Sequence, residues 1–230
     1  MNAVENVHTA VQRVTRPGFT TTARGRWISV AGATYVTAWV VGLVVAPETP
    51  AATAPAAEVH AYYAANGTQI LVQSSLIHGV AAVAIAALAL LVPAATGASP
   101  RLGKLTVVFG LGASVVSLLQ VGFAVAGVVT AGSQSVDTSA RLFDALNLAD
   151  TIKLILLAGF AAAVTTAASR AGMTRGWTRW LTLALVVTLP VGGMAFLVDS
   201  PVLTATLYVS LPLLLIWAGA LAWQIGRRAH

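Results

Sequence analysis

The run Ile70-Leu-Val-Gln-Ser-Ser-Leu-Ile-His-Gly-Val-Ala-Ala-Val-Ala-Ile-Ala-Ala-Leu-Ala-Leu-Leu-Val-Pro-Ala-Ala95 decides how this chain folds. It holds no Asp, Glu, Lys or Arg and exceeds the ~20 apolar residues that carry a helix across ~30 Å of hydrocarbon. Backbone groups in lipid must be paired inside the segment, so the run is a helix. Two of its side chains, Gln73 and His78, are foreign to lipid. Amide and ionisable groups at membrane depth face a protein interior or a wet cavity, because exposing them to acyl chains is expensive.

Five more runs have a comparable length and character: Trp27–Val45, Leu105–Thr130, Ile152–Ala168, Trp180–Val198 and Val202–Trp223. Hydrophobic residues make up 57% of the chain and charged residues 9%, against roughly 25% charged in soluble domains. The expected fold class is therefore all-α, a polytopic bundle of six transmembrane helices. Residues 1–26 read as a polar cytoplasmic arm, 27–226 as the membrane domain and 227–230 as a short tail. The first run is read as a permanent span, since 26 residues are long for the basic region of a signal peptide.

Charge orients the spans. Arg13, Arg16, Arg24, Arg26, Arg101, Lys104, Arg170, Arg175, Arg179, Arg227 and Arg228 fall on one side, leaving only Arg141 and Lys153 on the other. The positive-inside rule then places both termini in the cytoplasm of a bacterial plasma membrane. Trp27, Trp177, Trp180 and Trp223 fall at the same boundary, as an interfacial belt does. The formal charge of +6 is spread over helix ends, where anionic headgroups account for it. The bilayer is thus the expected partner, and nucleic acid is not.

Polar residues within the spans mark candidate sites. At 100° per residue, Ser74, Ser75, Ala82, Ala86 and Ala89 share a side of the helix with His78. Small residues on one side permit close helix approach, which lipid does not otherwise drive. In the third run, Gly110, Ser114, Ser117 and Gln120 form one stripe, and Gln120 lies near the depth of His78, making the two expected partners. Before the fourth run, Asp137-Thr-Ser-Ala140 reads as a helix cap. Arg141, Asp144, Asn147 and Thr151 make a polar face beyond it, with Arg141 and Asp144 paired at i, i+3. Asp150 and Lys153 fall on the apolar side. Lys153 reads first as snorkelling to the membrane surface; the other reading is a partly buried pair with Asp150. Tyr62 and Tyr63 suit an interface, Asn66-Gly67 a turn, and Pro190 and Pro212 kinks.

Familiar chemistries are not encoded. Only His78 is inside a span, so bis-histidine haem is not expected. No spacing forces Glu58, His60, His78, Asp144 and Asp150 into a metal site. The chain has no cysteine, which removes thiolate metal sites and thiol redox chemistry. No phosphate-binding glycine motif occurs. The expectation is no metal and no cofactor.

Pro47-x-x-Pro50, Ser75-Leu-Ile-His-Gly79 and Asp144-Ala-Leu-Asn-Leu-Ala-Asp150 resemble a broad group of six-helix bacterial integral membrane proteins classed as domains of unknown function. The resemblance covers Trp27 to Arg228. It implies the architecture and carries no activity with it.

The functional expectation is a small multi-pass protein with an outward-opening polar cavity lined by Gln73, His78, Ser117, Gln120, Asn147, Asp150 and Lys153. It would bind or pass a small polar solute or ion. Two alternatives stand beside it: a structural or regulatory subunit in a homo- or hetero-oligomer, and a membrane enzyme using His78 as general base. The plainer account of His78 is helix packing.

Overall fold

A computed structural model describes residues 21–133 and 135–229. Six helices, each long and apolar enough to cross a membrane, make up the fold. They are α1 (Thr21–Val45), α2 (Ala56–Thr96), α3 (Pro100–Thr130), α4 (Val136–Arg170), α5 (Gly176–Gly193) and α6 (Pro201–Arg228). Among the described residues there is no strand. α1 is already helical ahead of the apolar run at Trp27. Residues 1–20, with most of the expected arm, lie outside the described residues.

Short connections make each helix an antiparallel neighbour of the next. Successive helices pack in order from α1 to α6, and α6 closes the ring against α1. The turns carry the required chemistry. Gly97 ends α2 at φ 58°, and Ala98 N–H donates to Pro93 O at 3.0 Å, the left-handed exit that glycine makes without a Cβ clash. Pro100 then opens α3, where its missing N–H is not needed.

The ring closes because small residues let backbones meet. A Cβ on Gly32 would stand 2.2 Å from Ala222 Cβ, and one on Gly25 would stand 2.6 Å from Gly226 O. α1 and α6 therefore cross at glycine and alanine. α3 approaches α2 in the same way, since a Cβ on Gly110 would lie 2.5 Å from Ala89 Cβ. Ser114 Oγ donates toward both Gly110 O and Ala82 O at 2.9 Å, tying the two helices.

The two ends of the bundle differ. Arg24 donates to Ala94 O and Arg228 to Gly172 O, which brings the start of α1, the end of α2, the α4–α5 turn and the end of α6 to one basic end. Trp27, Trp177, Trp180 and Trp223 are all exposed there. Above that end the interior is closed by Trp217, whose Nε1–H donates to the Thr165 and Thr182 hydroxyls at 3.0 Å while Phe160 meets its ring edge-on.

Several local expectations are corrected. Asn66 is the one non-helical residue inside α2 (φ −113°, ψ 17°), and its side chain donates to Tyr62 O at 3.0 Å. The chain thus kinks there and stays helical, so the first connection is residues 46–55 alone. Tyr63 is buried against Gly127 of α3, not placed at an interface. Ser135, not Asp137, caps α4, its hydroxyl accepting from Thr138 N–H. Arg141 and Asp144 are exposed and form no ion pair with each other. The two prolines stand apart from these corrections: Pro190 and Pro212 lie inside α5 and α6, and α5 runs on into a 3-10 turn at Met194–Phe196.

Replacing Gly32 with Leu forces α1 away from α6. We expect Gly32→Leu to destabilise the protein by about 1–3 kcal/mol, the range for overpacking a close contact. Gly122→Ala, at a helical glycine with nothing within 4 Å of its added Cβ, should leave the thermal midpoint of purified protein no lower than the parent's, since alanine is the better helix former.

Candidate functional site

Local backbone geometry sets the site. Between Ser75 and Val80, α2 widens into a single π-helical turn, in which Ala81 N–H reaches back to Leu76 O. Turns of this kind insert a residue into the helical repeat and recur at functional sites. Here the insertion rotates the faces of α2. Ser74, Ile77 and His78 all point inward, while Ser75, which an unbroken α-helix would align with His78, is exposed. Gly42 of α1 makes room for Ile77, to which an added Cβ would come within 2.4 Å.

His78 points at Lys153, and Lys153 organises the site. The lysine is 2% exposed. Its ammonium meets Asp150 Oδ1 one turn earlier on α4, Gln120 Oε1 of α3 at 3.0 Å, and His78 Nδ1 of α2 at 3.2 Å. The Trp39 ring of α1 lies 5.6 Å away, within cation–π range. An ammonium carries three N–H donors and no acceptor. Three acceptors surround it, so all three are used. His78 Nδ1 must then accept, which leaves the ring proton on Nε2. Gln120 is held the right way round because its amide N–H donates to Leu146 O at 3.4 Å. Thr151, beside the pair, donates to Gly193 O at 2.8 Å and fastens α4 to the end of α5.

Lys153 therefore does not snorkel. Its place on the apolar side of α4 aims it inward because that side faces the bundle core and not lipid. The alternative reading, a buried pair with Asp150, is the one realised.

On the far side of His78 from the basic end lies a cavity of ≈ 470 Å³. Much of its polar lining comes from Gln73, Ser74, His78, Asn147 and Asp150, with Thr204 of α6 besides. The remaining walls are mostly aromatic and aliphatic, including Trp39, Tyr62, Tyr63, Phe143, Phe196 and Tyr208. Residues 49–52 and Asp199, from the connections after α1 and before α6, border it at the other end.

The candidate residues thus divide into two groups. Gln73, His78, Asn147 and Asp150 line the cavity. Ser117, Gln120 and Lys153 do not. Gln120 is fully buried, and Ser117 and Lys153 face a separate void of ≈ 10 Å³, about the room one water needs. His78 and Gln120 meet only through the lysine between them. Missed altogether were Ser74 as a lining residue, Trp39 as the ring under the ammonium, and the π turn that aims His78. Trp39 had one available signal, its lone position in an otherwise aliphatic stretch of the second half of α1. Among the described residues, no three of His, Asp and Glu gather as a metal site needs. His60 Nδ1 lies 2.9 Å from Ser139 Oγ nearer the loops, a contact that joins α2 to α4 outside the cavity lining.

The chain matches no protein-family model, no curated protein and no solved structure.

Removing one member of the buried pair strands the other's charge. Lys153→Met and Asp150→Leu should each destabilise the protein by about 3–5 kcal/mol, the usual consequence of breaking a buried ion pair. The double variant should lose much less than the sum, because it leaves no uncompensated charge. Denaturant titration of the four proteins measures the coupling.

Proposed function

We propose that the chain is a multi-pass protein of a bacterial plasma membrane, that its basic end and both termini are cytoplasmic, and that its cavity opens outward to bind or pass a small molecule bearing a polar group, without covalent chemistry. The orientation rests on the arginines and lysines gathered at one end of the bundle, since cytoplasmic ends carry that excess. The functional reading rests on one observation: the ≈ 470 Å³ cavity gathers Gln73, Ser74, His78, Asn147 and Asp150 from α2 and α4 on an otherwise largely aromatic and aliphatic wall. That volume lies in the range of small-molecule pockets, which are largely apolar with a few placed polar groups.

The other readings have less support. A general base must have a free lone pair within reach of substrate. The Lys153 hydrogen bond occupies His78 Nδ1 and leaves Nε2 protonated, so His78 meets the cavity as a donor. The small-residue seam on α2, a candidate docking surface for another subunit, is taken up internally by α3 at Ala82 and Ala89.

The natural absence of cysteine makes single-cysteine labelling a clean test. Ala51→Cys at the cavity rim and Asn147→Cys on its wall should react with a small membrane-impermeant thiol reagent in intact cells. Ala171→Cys at the basic end should react only in inverted vesicles. An inert Asn147→Cys in both preparations overturns the open cavity, and the reverse pattern overturns the orientation.

A further inference from the structure

The cavity's inner end is charge-closed. Asp150 is neutralised by Lys153, and the ammonium has no N–H left for a ligand. His78 offers an Nε2–H donor there, next to the Asp150 carboxylate and the Asn147 amide. Ser74 is 4% exposed, lines the same cavity, and its hydroxyl has no hydrogen-bond partner among the described residues. An unpaired buried hydroxyl is unfavourable by about 1–3 kcal/mol, and a ligand atom that pairs with it removes that penalty. The inner end is thus suited to an uncharged group that both accepts and donates hydrogen bonds. A charged group there would be desolvated with no opposite charge to meet it.

The walls point to the rest of the molecule. Trp39, Tyr62, Tyr63, Phe143 and Phe196 supply an aromatic lining that a small polar solute leaves unfilled. Two other lining residues, Leu43 of α1 and Tyr208 of α6, are 46% and 73% exposed. An opening of the wall between α1 and α6 would account for both, besides the opening at the loops.

Building on the binding role given to this cavity above, we propose that its ligand is a neutral amphiphile. An uncharged amide or hydroxyl head docks against His78 Nε2–H, Ser74 and Asp150, the apolar body lies along the aromatic wall, and entry is from the bilayer.

The test uses the full chain in phosphatidylcholine nanodiscs with ¹⁵N-labelled histidine, which reports on only four residues. The His78→Ala variant identifies the His78 ring signals. The probes are decanamide, decanoate and decylammonium, which share one chain length, together with acetamide and potassium chloride. Decanamide should shift the His78 Nε2–H signal saturably and bind at least about tenfold more tightly than either charged analogue, a difference of about 1.4 kcal/mol. Ser74→Ala should fold at least as stably as the parent and weaken decanamide binding several-fold. Saturable binding of acetamide or potassium at His78 without decanamide binding overturns the amphiphile and leaves the cavity's binding role standing. Decanamide binding with an unmoved His78 signal and unchanged affinity in Ser74→Ala overturns the docking of the head. If no probe shifts His78, both the amphiphile and the binding role given to the cavity fall.

Discussion

The fold is arranged around one ammonium group. Lys153 Nζ lies where α1, α2, α3 and α4 converge, and each supplies something it needs: an aromatic face from Trp39, a ring nitrogen from His78, an amide oxygen from Gln120 and a carboxylate from Asp150. A buried charge is tolerable only when paired and fully hydrogen-bonded. That requirement fixes the relative depth and rotation of four helices together. The π turn in α2 lies at the same place, and its extra residue shifts the angular register of Ile77 and His78 relative to the turns before it.

Elsewhere the helices meet by shape. Lipid tails are as apolar as leucine, so helices gain nothing by hiding apolar side chains from each other, and close packing and hydrogen bonds must hold them. The basic half is closed by small residues at the α1–α6 crossing and by shared hydroxyls. Thr165 and Thr182 bond each other and the Trp217 indole, while Gln224 accepts from Arg175 N–H and Thr178. The opposite half instead leaves space between the same helices, lined by larger aromatic side chains. The cavity lies where the glycine and alanine contacts give out.

Much of this was legible in the sequence. Six apolar runs require six helices, because lipid permits no other pairing of backbone groups, and four of the residues singled out, His78, Gln120, Asp150 and Lys153, do meet. What could not be read was direction. In a soluble helix the apolar face is the buried face, so a charge among leucines is anomalous. In a membrane bundle both faces are apolar, and the leucines around Lys153 gave no sign of whether they faced lipid or core. The wheel failed at Ser75 for a different reason: it assumes one angular step, and a single π turn rotates everything beyond it. The cap and loop errors are smaller and of one kind. Asn66 can stop a helix or bond back to Tyr62 O within it, and its neighbours in space decide between the two.

A buried ion pair is weak as a stabilising device, since apolar side chains of similar volume often pack at least as well. What Lys153 does that a leucine could not is choose the state of His78. A neutral imidazole has two tautomers, and the one adopted depends on what its other nitrogen meets. With an ammonium against Nδ1, the proton belongs on Nε2, and the ring's other nitrogen becomes a donor in a fixed direction. Asp150 balances the ammonium, so this direction is imposed without leaving net charge at the cavity's inner end. The buried cluster and the cavity are therefore one device: charges are spent against each other below so that a neutral hydrogen-bonding surface is presented above.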